Sequence, residues 1–134
     1  MAKKTYQGSC HCGGVRFEAD LDLSEPTVRC NCTYCTKSRS WFATAAPDDF
    51  RLLAGESDLA DYQFGPKRIH HQFCRNCGVR PFGRLEADGV TQFVAVALGS
   101  LDDAEPGELA VAPISYFDGR NDNFEAAPAE TRHL

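Results

Sequence analysis

Alternating apolar and polar residues mark several short strands along the chain, and no segment shows the 3.6-residue period of a long helix. Residues 15–22, VRFEADLD, alternate as a half-buried strand does. Four other runs rich in apolar and aromatic residues are also predicted as strands: 41–47, 59–65, 68–74 and 91–101. The last of these is the longest and most apolar, so we expect it at the centre of a sheet. The pattern predicts a mainly β fold.

Eleven glycines and seven prolines separate these runs at a spacing typical of strands and turns. We expect short helical turns only near residues 32–40, CTYCTKSRS, and 100–105, SLDDAE. From Glu105 onward the chain is richer in Pro, Ala and acidic residues, and we expect it to wrap over the surface. The length favours a single domain over residues 1–134.

Composition narrows the possible partners. Hydrophobic residues make up 43% of the chain, charged residues 25%, and the formal net charge is −5. This charge disfavours nucleic acid as a partner, because phosphate-backbone binding needs a basic face. No run approaches the ~20 apolar residues of a membrane span. The N-terminal residues MAKKTYQGSC lack the apolar run of a signal peptide, so we expect a cytoplasmic protein with no membrane partner.

The sequence contains seven cysteines, an odd number that cannot pair completely into disulfides. In a reducing compartment, cysteines at such spacings indicate metal ligands or catalytic thiols. They fall into three groups: Cys10 and Cys12; Cys30, Cys32 and Cys35; Cys74 and Cys77.

The first and last groups predict one closed zinc site with four thiolates. In CRNCG, Cys74 and Cys77 can chelate one ion from a tight turn, and Gly78 can take a positive φ. Cys10 and Cys12 share a face if they lie on a strand, with His11 pointing away. Four cysteine ligands are typical of structural zinc.

The remaining group, Cys30, Cys32 and Cys35, predicts a second zinc site that is one protein ligand short. Catalytic zinc sites keep three protein ligands and leave one position for water or substrate. Two alternatives stay open. A fourth ligand from His70, His71, His133 or an acidic side chain would close the site, and Cys32 with Cys35 would otherwise form a redox pair.

Taken together, the segments GSCHCGGVRFE, CNCTYCTKS and FCRNCGVRPF resemble the glutathione-dependent formaldehyde-activating enzyme family, from Gly8 to about Phe124. The resemblance implies several small coiled antiparallel sheets, a fold shared with a Rab-GTPase accessory protein and methionine sulfoxide reductase B. It implies structural zinc on Cys10, Cys12, Cys74 and Cys77, and catalytic zinc on Cys30, Cys32 and Cys35. The activity implied is addition of glutathione to formaldehyde, a carbon–sulfur lyase reaction run backwards.

We therefore expect a zinc-dependent enzyme that joins a small-molecule thiol, glutathione or another, to formaldehyde or a small aldehyde. The alternative is a non-enzymatic binding module with two structural zinc ions. The metal motifs match the family more closely than any segment that would bind glutathione.

A few other residues are candidates for chemistry. Arg80, Arg84 and Arg120 can bind a substrate carboxylate, although surface charges are the commoner role for arginine. His70 and His71 should point to opposite faces of a strand, one toward the open zinc site and the other exposed. Further residues are expected in turns (Asp118 and Asp122), in the core or a pocket wall (Trp41, Phe42 and Phe82), or facing away from Cys30 (Arg29).

Overall fold

The computed structural model describes residues 3–134 and shows ten strands in two sheets. The mainly β prediction is confirmed. The strands are β1 (Lys4–Ser9), β2 (Arg16–Leu21), β3 (Thr27–Cys30), β4 (Trp41–Ala45), β5 (Phe50–Ala54), β6 (Leu59–Tyr62), β7 (Ile69–Cys74), β8 (Phe82–Ala87), β9 (Val90–Ala97) and β10 (Ile114–Phe117). The helices are α1 (Thr33–Ser38) and α2 (Pro106–Val111), and short 3-10 turns span Pro47–Asp49, Glu56–Asp58, Leu98–Ser100 and Gly119–Asn121.

The smaller sheet has the order β1-β2-β5, and the larger sheet has the order β10-β3-β4-β9-β8-β7-β6. The strand predicted to be central, β9, is the fourth of seven, which confirms that prediction. It ends at Ala97, and residues 98–100 form a 3-10 turn instead of continuing the strand. The paired strands run antiparallel except β10, which pairs with β3 in parallel.

The core lies between the two sheets and is centred on three aromatic rings. Phe17 of β2 stacks on Phe50 of β5 at 5.3 Å between centroids, and it meets Phe82 of β8 edge-on at 5.9 Å. In β2 the buried residues alternate along the strand, as its sequence pattern predicts. In β9 three successive residues, Val94, Ala95 and Val96, are buried, because a central strand is covered on both faces.

The C-terminal segment departs from expectation. Instead of wrapping over the surface throughout, it contributes α2 and an edge strand, β10, whose Phe117 lies beside Cys30 in the β3 register. Parallel strands end at the same edge of a sheet, so the turn after β10 meets the turn after β3. The predicted helical turn at residues 32–40 is confirmed as α1. Of residues 100–105, only Ser100 belongs to a 3-10 turn, and α2 begins after them at Pro106.

Within residues 3–134, no helix is both long enough and apolar enough to cross a membrane. The expectation of a single domain over 1–134 includes residues 1 and 2, which lie outside the described residues.

Candidate metal centres and the adjoining cavity

The structure brings the cysteines together in the two groups that the sequence predicts. The first cysteine cluster consists of Cys10, Cys12, Cys74 and Cys77, and its sulfur atoms all lie within 4.8 Å of one another. The Sγ atoms of Cys10 and Cys12 are 3.6 Å apart, and those of Cys12 and Cys74 are 3.7 Å apart. A Zn–S bond of about 2.3 Å places the sulfurs of a tetrahedral site about 3.8 Å apart. The donor set and spacing therefore fit one zinc ion.

Two similar turns build this cluster. Cys10 N donates to Val15 O at 3.0 Å, and Cys74 N donates to Val79 O at 3.0 Å. Gly78 has φ 78, as predicted for CRNCG. Cys10 and Cys12 lie in a turn after β1, not on a strand as predicted, so the turn and not strand alternation makes their thiols converge.

Backbone N–H groups face the sulfurs of the first cysteine cluster. Val15 N donates to Cys10 Sγ at 3.3 Å, and Asn76 N donates to Cys74 Sγ at 3.4 Å. Backbone N–H groups of Cys12 and Val79 lower the pKa of Cys77 to about 6. Such donors favour the thiolate form, which is the form that binds metal.

The second cysteine cluster consists of Cys30, Cys32 and Cys35, with sulfur atoms within 4.8 Å of one another. Cys30 is the last residue of β3, and Cys32 is the N-cap of α1, where its Sγ accepts from Cys35 N at 3.2 Å. The cluster is thus formed at a strand–helix junction, with Cys30 on the strand and Cys32 at the start of the helix.

The three thiols of the second cluster shift one another's pKa values. Hydrogen bonds from the thiols of Cys30 and Cys35 lower the pKa of Cys32 to about 2. The same contacts raise the pKa of Cys30 and of Cys35. Metal binds the thiolate form, so a divalent ion bound here would displace the protons that these thiols carry.

Among residues 3–134, no His, Asp or Glu ligand atom joins the three sulfurs of the second cluster within the 4.8 Å limit. His70 instead contacts Asp61 through Nδ1 at 2.5 Å and Glu86 through Nε2 at 3.4 Å. His71 is buried and stacks on Tyr34 at 3.9 Å between centroids. One of the two histidines was predicted to be exposed. That prediction is wrong, because His71 is buried and acidic neighbours partly cover His70.

His71 stacks on Tyr34, one of the two residues between Cys32 and Cys35. Neither of its ring nitrogens has a hydrogen-bond partner among the described residues. Burial, followed by the charge of Arg80, lowers the pKa of His71 to about 4, so this imidazole is neutral near pH 7. Its nitrogens do not join the second cluster, and an acid–base role for it stays a prediction.

Hydrogen bonds of Asn31 hold the turn after β10 against the second cysteine cluster. Its Nδ2 donates to Asp118 Oδ1 at 2.8 Å, and its Oδ1 accepts from Arg120 N at 3.0 Å. The Arg120 side chain donates to Asn31 O at 3.0 Å. Asp118 and Asp122 lie in this turn, as predicted, and Arg120 is engaged in holding it.

Gly119 packs directly against the second cysteine cluster. A Cβ atom at this position would lie 2.6 Å from Cys30 Sγ and 3.2 Å from Cys32 Cβ. Only a residue without a side chain fits there. Neither Asn31 nor Gly119 was predicted from the sequence, because the parallel pairing of β3 and β10 brings Asn31 to the 118–121 turn and Gly119 to Cys30.

A small cavity of about 10 Å³, close to the size of one water molecule, touches Cys30 and Cys35. Its wall also includes Arg29, Arg39 and Ser40. These three residues line a much larger cavity of about 850 Å³ as well. The second cysteine cluster therefore lies next to a space large enough for a small organic molecule.

Aromatic and basic side chains line the large cavity. Arg29 lies over the Trp41 ring at 4.7 Å, and Arg80 lies over the Tyr34 ring at 5.4 Å. Backbone alternation predicted that Arg29 faces away from Cys30, yet its long side chain reaches the wall of both cavities. Arg84 lies elsewhere, bonded to Gln72, Glu86 and Thr91, so it supports the sheet.

Comparison with known proteins identifies the family. The profile of the glutathione-dependent formaldehyde-activating enzyme family matches residues 5–117, which include all seven cysteines. The chain belongs to this family. A crystal structure of a Rhodobacter sphaeroides protein is also similar, with a TM-score of 0.69 and 31% identity. That match covers 81% of this chain and 99% of the other, so the two share the fold over most of their length.

Family membership and geometry agree on the metals, since both cysteine clusters can hold zinc. The family model matches residues up to 117, and the 118–121 turn, which contacts the second cysteine cluster, follows directly after them.

We predict that Gly119→Ala weakens zinc binding at the second cysteine cluster about tenfold or more, because overpacking costs ~1–3 kcal/mol. Zinc affinity is measured by competition with a chromophoric chelator. Gly107→Ala is the matched control, because nothing lies within 4 Å of a Cβ at that position. Equal zinc affinities for both variants and the natural chain would contradict the close packing of Gly119.

Proposed function

We propose that the chain is a zinc-dependent enzyme that adds a thiol to formaldehyde or another small aldehyde. The observation that carries this proposal is the second cysteine cluster, which offers three ligands among the described residues and borders a small cavity. Three protein ligands with one free position are typical of catalytic zinc, and four are typical of structural zinc. The family match supports the same chemistry.

In the proposed reaction, the thiol adds across the carbonyl group of the aldehyde. The thiol loses its proton, its sulfur forms a bond to the carbonyl carbon, and the π pair of the C=O bond moves to oxygen. The oxygen then takes up one proton, so the product is an S-hydroxyalkyl thioether. The reverse reaction is the cleavage catalysed by a carbon–sulfur lyase.

Cys30, Cys32 and Cys35 would hold the metal, which supplies Lewis acidity toward an oxygen or keeps a bound thiol ionised near neutral pH. The protein residues position and enclose the reactants. Gly119 and the Asn31 hydrogen bonds fix the cysteine-bearing turn. The large cavity, lined in part by Trp41 and Tyr34, supplies a site where a thiol and an aldehyde can lie together.

A structural role is proposed for the first cysteine cluster, in which Cys74 is fully buried and joined to residues far away in sequence. The alternative function, a non-enzymatic module with two structural zinc ions, predicts a closed second site. The two functions therefore differ in whether an added ligand reaches the second metal.

The two clusters should respond differently to loss of one ligand. Cys74→Ser should lower the melting temperature of the zinc-loaded protein by about 10 °C or more, because metal binding at a closed site contributes folding free energy. Cys32→Ser keeps an oxygen that can cap α1, so it should shift the melting temperature by only a few degrees. Scanning calorimetry with zinc in excess measures both. Equally large decreases would assign the second cluster a structural role.

An added thiol should bind the metal of the second cluster. In protein substituted with cobalt, thiol should change the d–d absorption and release about one proton per site, since the ligand is the thiolate. In the Cys32→Ser variant, the thiol should no longer change the d–d absorption. In the natural chain, a thioether of the same size should leave this absorption unchanged. A spectrum that no thiol or aldehyde alters, with cobalt confirmed at the second cluster, would favour the structural module.

A further inference from the structure

Three arginines that line the large cavity have no carboxylate partner. Within residues 3–134, no acidic oxygen lies within ion-pair distance of Arg29, Arg39 or Arg80. The cavity wall includes one acidic residue, Asp61, whose carboxylate contacts His70. The cavity is thus locally basic in a chain whose formal net charge is −5.

Among the seven other arginines of residues 3–134, Arg51, Arg84 and Arg132 form ion pairs with acidic residues and the remaining four form none. Arg51 contacts Glu18 and Asp20 at 2.6 and 2.9 Å, and Arg132 contacts Glu130 at 2.8 Å. The chain has enough acidic residues to pair with the cavity arginines, yet none reaches them. Unpaired guanidinium groups on a concave surface are typical of a site that binds an anion.

Aromatic rings and hydroxyl groups hold two of these guanidinium groups in place. Trp41 lies under Arg29, and Tyr34 lies under Arg80. Arg80 also donates from Nη1 to Ser40 Oγ at 2.9 Å. Its Nε is buried and has no hydrogen-bond partner among the described residues. Stacking fixes the plane of each guanidinium, so little conformational entropy is lost when its remaining N–H groups bind a carboxylate.

The position of these groups relates them to the second cysteine cluster. Arg29 and Arg39 line the large cavity and also the small cavity that touches Cys30 and Cys35. Arg39 is fixed by a hydrogen bond from Nη1 to His133 O at 2.6 Å. We infer that Arg29, Arg39 and Arg80 bind the carboxylate of a co-substrate whose reactive end lies at the second cysteine cluster.

The part of this inference that concerns a reaction at the cysteines rests on the proposed function. The anion site itself is inferred from the residues that line the cavity. The ligand class is a small organic molecule with a carboxylate. The carboxylate belongs either to the thiol or to the aldehyde, and KM values for charged and neutral substrates distinguish the two.

Binding is tested with a molecule that cannot react. Zinc-loaded protein is titrated by calorimetry with 3-(methylthio)propanoate and, separately, with its uncharged methyl ester. We expect the acid to bind at least tenfold more tightly than the ester, because hydrogen bonds to charged groups are the stronger class. Equal affinities would overturn the inference, whether or not the chain catalyses the addition.

Variants locate the site. Arg29→Gln and Arg80→Gln should each weaken binding of the acid about tenfold and leave binding of the ester unchanged. Arg80→Lys, which keeps the charge but loses the planar fork, should lie between. Arg16→Gln removes the same charge from an exposed position on β2 and should have no effect. If Arg16→Gln weakens binding as much as Arg80→Gln, general surface charge explains the affinity and the site is refuted.

The source of the carboxylate follows from KM values. With formaldehyde, 3-mercaptopropionate is compared with 2-mercaptoethanol. With 2-mercaptoethanol, glyoxylate is compared with acetaldehyde. Arg80→Gln should raise KM only for the carboxylate-bearing member of one pair, which identifies the anionic co-substrate. An equal rise for charged and neutral substrates would overturn the inference. Binding of the acid without turnover of any pair would refute the proposed function and support the anion site.

Discussion

Mutual repulsion among the four thiolates of the first cysteine cluster must be offset by a cation, and that cation would link the two sheets. Four sulfur atoms lie within 4.8 Å of one another at Cys10, Cys12, Cys74 and Cys77. As thiolates they repel each other strongly unless a cation lies among them, and a cation bound there joins the turn after β1 to the end of β7. That link connects an edge strand of the small sheet to the large sheet, which also carries the second cysteine cluster at the end of β3.

The second cluster depends on different forces. Its three cysteines come from one strand–helix junction, so metal there closes little chain. Instead, the parallel pairing of β10 with β3 brings Gly119 and the Asn31 hydrogen bonds against it. The cavities lie beside this junction, with arginines and aromatic rings in their walls. On the proposed roles, the first cluster would hold its metal firmly and support the sheet that carries the second cluster, whose metal would be accessible.

The sequence was informative where chemistry is local and uninformative where it depends on topology. Cysteine spacing predicted both clusters, the glycine after Cys77 predicted the positive φ, and length with apolar composition predicted the central place of β9. It did not predict β10, because four residues with no clear alternation acquire their strand character by pairing with β3. It also could not predict that Arg29 and Arg80 share one cavity, because that depends on how the sheet brings distant residues together.

The two cysteine clusters are proposed to hold zinc with different numbers of protein ligands. A crystal structure of the zinc-loaded chain, with anomalous difference maps at the zinc edge, measures this directly. We expect two ions, one bound by four cysteine sulfurs and the other by Cys30, Cys32, Cys35 and a ligand from outside the protein. A second ion with a fourth ligand from the protein, or no ion at the three cysteines in zinc-saturated crystals, would contradict it.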